Sequence, residues 1–135
     1  MSSDPINSDF GRETTPPLND AEAAATFRAV VRLLDHWEIT DGQAAILLNL
    51  AVPIYRHWRA EKPGWIDPDG KARLATLLAI HAALKTIFRD PQRTYDWIKA
   101  PNAAFGGRSA LDIMLEGKTT DLVQIRQYLD AERSG

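Results

Sequence analysis

The 135-residue chain contains no cysteine, and this absence excludes several kinds of site. Without thiols there is no disulfide framework, no cysteine nucleophile and no cysteine-ligated zinc centre. Disulfides belong to oxidising compartments, so a chain without them is typical of an intracellular protein. The N-terminus has no basic segment followed by an apolar run, and no stretch approaches the roughly 20 apolar residues of a membrane-spanning helix. We therefore expect a cytoplasmic protein.

The chain also lacks an excess of positive charge, since 16 Lys and Arg residues face 18 Asp and Glu residues, for a formal net charge of −2. The field of the whole molecule therefore gives no general attraction for nucleic acid, and any DNA contact requires a local basic patch. Hydrophobic residues make up 44% of the chain and charged residues 25%, which is typical of a globular domain with a modest core.

No segment shows the period-two alternation of a β-strand, whereas apolar residues recur at steps of three and four in several segments. The fold class that this predicts is all-α, a small multi-helix domain. The predicted N-terminal caps of its helices are Asn19 or Asp20, Thr40 with Gln43, Asp67 or Asp69, Asp90, Ser109, and Thr119 or Thr120, with Pro53 in the first turn of the third helix. The long fourth helix carries an apolar stripe of Leu74, Leu77, Leu78, His81, Leu84 and Phe88.

Composition divides the chain into three regions. Residues 1–18 are rich in Ser, Pro, Asp and Thr without a period, which is typical of a flexible tail. Residues 19–66 form a predicted N-terminal region that resembles a helix-turn-helix unit, and residues 67–135 form a C-terminal helical region. A linker with two prolines and two glycines, EKPGWIDPDG, lies at the boundary.

The helix-turn-helix prediction depends on small, flexible and apolar residues at the expected offsets between residues 40 and 60. They are Ala45, Asn49, Leu50, Tyr55 and Trp58, with Asn49 as the residue that tolerates a left-handed backbone. The outward face of the second helix and the residue positions beyond it then offer candidate DNA contacts, namely Arg56, His57, Arg59 and Lys62. A helix pair that serves only as scaffold or docking surface remains the alternative.

The segment PNAAFGGRSALDIMLEG, residues 101–117, is a glycine-rich turn leading into a helix. Free backbone N–H groups at such a helix start attract phosphate. However, the complete Walker pattern is absent and no strand precedes the turn, so nucleotide binding is disfavoured. The three histidines, His36, His57 and His81, have no carboxylate or second histidine at ligand spacing, so we expect no metal site and no catalytic base.

The chain resembles the Xre/MbcA/ParS antitoxin family, closest to its ParS-like members, over roughly residues 30–133. Three segments carry the resemblance: GQAAILLNLAVPIYRHWRAEK, RLATLLAIHAALKTIF and WIKAPNAAFGGRSALDIMLEGKTTDLVQIRQYLDAER. The specific positions are Trp97, Pro101, Asn102, Phe105, Gly106, Gly107, Ser109, Leu111, Asp112, Gly117, Leu122, Val123 and Leu129. The family commonly has Pro after the Ser, where this chain has Ala110, but alanine also starts a helix.

The resemblance implies an antitoxin without a cofactor, not an enzyme, whose C-terminal region binds a RES-domain toxin and blocks access to its active site. Such toxins resemble ADP-ribosyltransferases and consume NAD. Members are often dimeric within larger toxin–antitoxin complexes, and several bind their own operator DNA. The expected toxin contacts are Trp97, Asn102, Phe105, Gly106, Gly107, Arg108, Arg126, Tyr128 and Arg133. The alternative for the loop residues is an internal brace, and for the last helix a solvated face.

Two rival functions remain. A transcriptional regulator acting only on DNA would use the helix-turn-helix unit alone. A small hydrolase or transferase is disfavoured because the chain has no nucleophile and base at readable spacing.

Overall fold

The computed structural model describes residues 18–134, which form seven α-helices and one 3₁₀ turn, with no strand among them. The helices are α1 (Asp20–His36), α2 (Asp41–Leu48), α3 (Val52–Ala60), α4 (Pro68–Ile87), α5 (Pro91–Lys99), α6 (Ala110–Met114) and α7 (Thr119–Ser134), with the 3₁₀ turn at Ala103–Phe105. The all-α prediction is confirmed. Of the predicted tail at residues 1–18, only Leu18 belongs to the described part of the chain, and it is half-buried against the core.

Most helices begin at the caps that the sequence predicts. Thr40 Oγ1 accepts a hydrogen bond from the backbone N–H of Gln43 at 3.1 Å, and Gln43 Oε1 accepts one from the N–H of Thr40 at 3.0 Å. This capping box satisfies two otherwise free donors of α2. Of the paired alternatives, Asn19 rather than Asp20 caps α1, and Asp67 rather than Asp69 caps α4.

The predicted cap of the last helix is wrong. Helix α7 already begins at Thr119, so neither Thr119 nor Thr120 flanks it. The carboxylate of Asp121 instead accepts a hydrogen bond from the backbone N–H of Lys118 at 2.9 Å. The Thr119 hydroxyl is used elsewhere, because it donates to the carboxylate of Asp69 in α4. The Thr119 hydroxyl therefore bonds to a residue that is distant in the sequence instead of capping its own helix.

Helix α4 is the central element of one hydrophobic core. It packs against α1, α2, α5 and α7, and its residues Leu77, Ile80 and Leu84 are fully buried. Because neighbours cover more than one of its sides, burial extends beyond the predicted stripe, and Leu78 and His81 within that stripe are only half-buried. The core includes residues from both predicted regions of the chain.

A buried arginine connects three parts of this fold. Arg73 on α4 is 4% exposed, and its Nε donates to Asp69 at 2.8 Å. One Nη donates to the carbonyl of Leu47 in α2 at 3.1 Å, and the other donates to the carbonyl of Gly117, before α7, at 2.7 Å. The guanidinium thus satisfies acceptors at the end of α2 and at the α6–α7 connection at once.

Within residues 18–134, none of the helices combines the length and the apolar character that crossing a membrane requires.

Replacing Arg73 with Met should lower the free energy of unfolding by about 3 kcal/mol, because the buried carbonyls and Asp69 lose their charged donor. Arg73→Lys should recover only part of the loss, since an ammonium group cannot form the same fork of donors. Urea unfolding followed by circular dichroism measures both changes. The exposed Arg126→Met variant is the control, with an expected change within about 0.5 kcal/mol. Equal losses for Arg73→Met and Arg126→Met would contradict the connecting role.

The stability should also depend on pH through Asp69. The hydrogen bond from Thr119 lowers the pKa of Asp69 below its ordinary value of 3.8, and Arg73 adds to this effect. The native carboxylate therefore contributes stability above pH 3.8 that is lost as the pH falls through the folded-state pKa. We expect the stability difference between the wild type and Asp69→Asn to shrink in that acid range. Thr119→Val should make this pH dependence of the stability smaller. A stability difference that stays constant from neutral to acid pH would contradict the role of Asp69.

Candidate functional site

Three aromatic residues that are distant in the sequence meet at the C-terminal side of the molecule. Trp97 on α5, Phe105 in the 3₁₀ turn and Tyr128 on α7 form what we call the aromatic cluster. The ring centroids of Phe105 and Tyr128 are 4.9 Å apart, those of Trp97 and Tyr128 are 6.2 Å apart, and those of Trp97 and Phe105 are 6.3 Å apart. All three side chains are half-buried against the core. The cluster therefore joins three elements and still reaches the surface.

The loop between α5 and α6 is organised by Asn102. Its side-chain oxygen accepts a hydrogen bond from the N–H of Ala104 at 2.8 Å, and its backbone oxygen accepts from Phe105 and Gly107, both at 2.9 Å. Its own N–H donates to the carbonyl of Arg108 at 3.0 Å. These bonds close the segment from 102 to 108 on itself, so Asn102 acts as a brace that holds Phe105 in place.

The two glycines of this loop are explained by backbone conformation. Gly106 has φ of 67° and Gly107 has φ of 87°, values that other residues adopt only with strain. Both are exposed, and a Cβ at either position would meet no atom of the described residues within 4 Å. Close packing inside the chain therefore does not require glycine at these two positions, and the backbone of the loop is accessible to solvent there.

Helix α6 begins immediately after the loop with a complete capping box. Ser109 Oγ accepts a hydrogen bond from the N–H of Asp112 at 3.0 Å, and the Asp112 carboxylate accepts from the N–H of Ser109 at 3.2 Å. Ala110 is the first helical residue. The predicted cap is confirmed without the proline that the resembled family commonly has at that position.

The predicted contact Arg108 is engaged within the chain. Its guanidinium donates to the Glu116 carboxylate at 2.6 Å and to the carbonyl of Asp112 at 3.0 Å, while its side chain remains half exposed. Sequence reasoning did not identify these partners. Helical side-chain spacing does not reveal them, because Arg108 and Glu116 lie on either side of the short helix α6 and the Asp112 partner is a backbone carbonyl.

The structure does not place the remaining two arginines with the aromatic cluster. Arg126 and Arg133 both approach the carboxylate of Asp130, at 3.6 Å and 3.2 Å. On a helix with 100° per residue, Arg126 and Tyr128 project about 160° apart, on opposite flanks of the buried stripe of α7. The nine predicted toxin contacts therefore divide into a loop with its aromatic cluster and a separate pair of cations.

Two helices joined by a short turn, α2 and α3, occupy the segment for which the sequence predicts a helix-turn-helix unit. Asn49 ends α2 with φ of 57°, in the left-handed region, and Ala45 and Tyr55 are buried in the hydrophobic core. All four candidate DNA contacts are exposed, and His57 and Lys62 form no ion pair with a carboxylate of residues 18–134.

Two of the candidate DNA contacts are held by carboxylates of the same chain. Arg59 donates to both oxygens of Asp35 at 2.9 Å, and these hydrogen bonds raise the pKa of Arg59. Arg56 pairs with Asp41 at 3.2 Å, and Asp41 also lies 3.7 Å from Arg59. This part of the surface is therefore much less positive than the arginine content of α3 suggests.

Comparison with known proteins gives two matches. Residues 83–135 match the model of the antitoxin Xre/MbcA/ParS C-terminal toxin-binding domain. The uncharacterized protein y4oB of Sinorhizobium fredii is 36% identical over 125 residues, which cover 92% of this chain and 96% of that protein.

The C-terminal part of the chain, residues 83–135, belongs to the toxin-binding domain family of the Xre/MbcA/ParS antitoxins.

The toxin-binding domain of this antitoxin begins inside α4 and contains the whole aromatic cluster and α7. It also contains the segment from 102 to 108 that Asn102 holds together, which we call the braced loop. The helix-turn-helix unit lies outside the matched residues. Within residues 18–134, no group of three or more histidine or acidic residues is arranged to hold a metal ion.

Proposed function

We propose that this antitoxin binds a RES-domain, NAD-consuming toxin of the ADP-ribosyltransferase-like kind and covers its active site. The observation that carries the proposal is the aromatic cluster of Trp97, Phe105 and Tyr128, half-buried at the surface of the matched toxin-binding domain. Tyr and Trp at the centre of an interface commonly supply most of the binding free energy, because they bury a large area while losing little conformational freedom.

The braced loop supports a steric mechanism. Its hydrogen bonds to Asn102 fix the backbone before any partner arrives, so binding requires little further ordering. The exposed Gly106 and Gly107 allow another chain to approach the backbone closely. A preformed loop of this kind is suited to filling a cleft, and neutralisation then needs no chemistry from the antitoxin.

Arg108 has a smaller part in this proposal than the sequence suggested. Its guanidinium is shared between Glu116 and the carbonyl of Asp112, so a contact with the toxin must add to that arrangement or break it. We assign Arg108 chiefly to holding the loop against α6, with its half-exposed side chain at the rim of the interface.

The proposed assembly contains an antitoxin homodimer within a larger cytoplasmic complex. Exposed apolar side chains in the N-terminal half support this, since Ile46, Ile54 and Trp65 are 45%, 43% and 70% exposed. All three lie outside the toxin-binding domain, so dimerisation and toxin binding would use different surfaces.

A second candidate function is operator binding by the helix-turn-helix unit. The left-handed turn at Asn49 supports it, because this geometry sets the angle between the two helices. The ion pairs of Arg56 and Arg59 with Asp41 and Asp35 oppose it, since phosphate contacts would have to displace them. We therefore propose operator binding as a weak, salt-sensitive activity beside toxin binding.

Co-expression with the toxin encoded beside this antitoxin tests the main proposal. The wild type should restore growth and co-purify with the toxin. Tyr128→Ala and Trp97→Ala should each weaken binding by about 30-fold or more, as expected for interface hot spots worth about 2 kcal/mol. Titration calorimetry of the purified proteins measures the affinities, and urea unfolding of each variant separates lost contacts from lost stability.

His57→Ala is the control, because it removes an exposed aromatic ring that lies outside both the toxin-binding domain and the proposed dimer surface. It should leave toxin affinity unchanged. Variants are preferable to a truncation at residue 100, since α6 and α7 contribute buried residues to the shared core. Failure of the wild type to bind or neutralise the toxin would refute the proposal.

Fluorescence anisotropy with DNA from upstream of the gene tests operator binding. Binding should weaken steeply as salt rises, because phosphate contacts release counterions. Arg56→Ala combined with Arg59→Ala should abolish it, and Asp35→Asn combined with Asp41→Asn should strengthen it by freeing both guanidinium groups. Arg126→Ala combined with Arg133→Ala is the control for loss of two positive charges, and an equal effect from that pair would contradict a specific role for α3.

A further inference from the structure

A groove lies between the C-terminal half of α4 and the N-terminal half of α5, away from the sites described above. We call it the α4–α5 groove, and its principal lining residues are His81, Lys85, Phe88, Arg89, Thr94 and Tyr95. Its volume is about 290 Å³. No acidic residue of the described part of the chain lines it, although the antitoxin as a whole carries a net charge of −2.

The cations of this groove differ from most others in the fold. Ion pairs between carboxylates of residues 18–134 and basic side chains hold Arg56, Arg59, Lys71, Arg73, Arg108, Lys118, Arg126 and Arg133. None of these pairs involves Lys85 or Arg89. The neighbouring carboxylate of Asp90 is used as the cap of α5, where it accepts from the N–H of Gln92 at 3.0 Å. The groove is therefore a local concentration of positive charge.

A buried polar atom in the groove wall adds to this preference. His81 Nδ1 is buried and has no hydrogen-bond partner among the described residues. Burial lowers the pKa of His81, and the nearby Lys85 and His36 lower it further, so the ring is neutral at pH 7 and keeps one N–H to donate. An apolar occupant would leave the nitrogen unsatisfied, whereas a carboxylate can accept from the two cations and, in the tautomer that carries the proton on Nδ1, from this nitrogen as well.

Two aromatic rings of the groove already have partners within the chain. The guanidinium of Arg93 lies over the Phe88 ring, 5.0 Å from its centroid. Tyr95 is stacked on His36 with the planes 7° apart and the centroids 5.2 Å apart. One face of each ring is therefore occupied by a side chain of the antitoxin itself.

We infer that the α4–α5 groove binds an acidic side chain, Asp or Glu, of the toxin, as a second contact beside the aromatic cluster. This inference rests on the proposed function. It draws on Lys85 and Arg89, which form no ion pair with a carboxylate of residues 18–134. It also draws on the location of the groove, since its principal lining residues other than His81 fall within the matched toxin-binding domain. An electrostatic contact at this position would steer association and fix the orientation of the toxin relative to the braced loop.

Charge reversal tests the contact. Lys85→Glu combined with Arg89→Glu should weaken toxin binding by about tenfold or more and reduce its dependence on salt. Arg28→Glu combined with Arg32→Glu is a closely matched control, because these residues are also exposed, basic and four positions apart, but lie on α1 outside the matched domain. It changes the net charge equally and should have a much smaller effect. Melting temperatures of both double variants establish that they fold.

Zero-length carbodiimide cross-linking locates the contact directly. The reagent joins a lysine amine to a carboxylate only where the two are adjacent, so mass spectrometry of the wild-type complex should identify Lys85 joined to an Asp or Glu of the toxin. Lys85→Arg should remove this cross-link while preserving binding, because it retains the charge without the amine. Cross-links from Lys85 to no toxin residue would overturn the inference.

The outcomes separate this inference from the proposed function. If the wild type binds the toxin and both double variants bind equally well, the groove contact is refuted and the toxin-binding role stands. If the wild type does not bind the toxin, both fail. If inorganic phosphate binds the free antitoxin and only that binding is lost in the Lys85 and Arg89 variant, the groove is a small-anion site and the inference is wrong.

Discussion

The fold depends on the placement of one guanidinium group inside the core. Arg73 is almost completely buried, and removing such a charge from water is costly unless hydrogen bonds replace the lost hydration. The replacement comes from Asp69 on the same helix and from the carbonyls of Leu47 and Gly117. The last two lie at the ends of elements that local hydrogen bonds leave unsatisfied. The cost of burying the charge is thus offset only when α2, α4 and the start of α7 have their native arrangement.

This constraint makes the toxin-binding surface a property of the whole described chain. The matched domain starts at residue 83, within α4. Two contacts between α4 and the start of α7 lie earlier in α4, because Arg73 donates to the carbonyl of Gly117 and Asp69 accepts from Thr119. Helix α7 in turn supplies Tyr128 to the aromatic cluster. The first half of α4 therefore positions a ring of the proposed interface, although it precedes the matched toxin-binding domain.

The sequence predicts the parts of this molecule that are local. Capping boxes at Thr40 and Ser109 and the left-handed Asn49 involve residues within four positions, so composition and spacing are sufficient to identify them. The aromatic cluster, by contrast, joins residues 31 positions apart in the chain, from Trp97 to Tyr128, and becomes visible only when α5 and α7 are packed. The wrong cap at Thr119 has the same origin, because its hydroxyl found a tertiary partner that spacing does not reveal.

The surface charge of the folded antitoxin also cannot be predicted from the sequence, and α3 and the α4–α5 groove both show this. By its sequence, α3 is a basic helix, but Asp35 and Asp41 neutralise its arginines in the folded chain. The α4–α5 groove attracts no attention in the sequence, since Lys85 and Arg89 are ordinary exposed residues of a helix end. Folding brings no lining carboxylate to them. A partner meets only the charge that ion pairs within the chain leave unneutralised. In this antitoxin the α4–α5 groove, next to the toxin-binding elements, carries part of that charge.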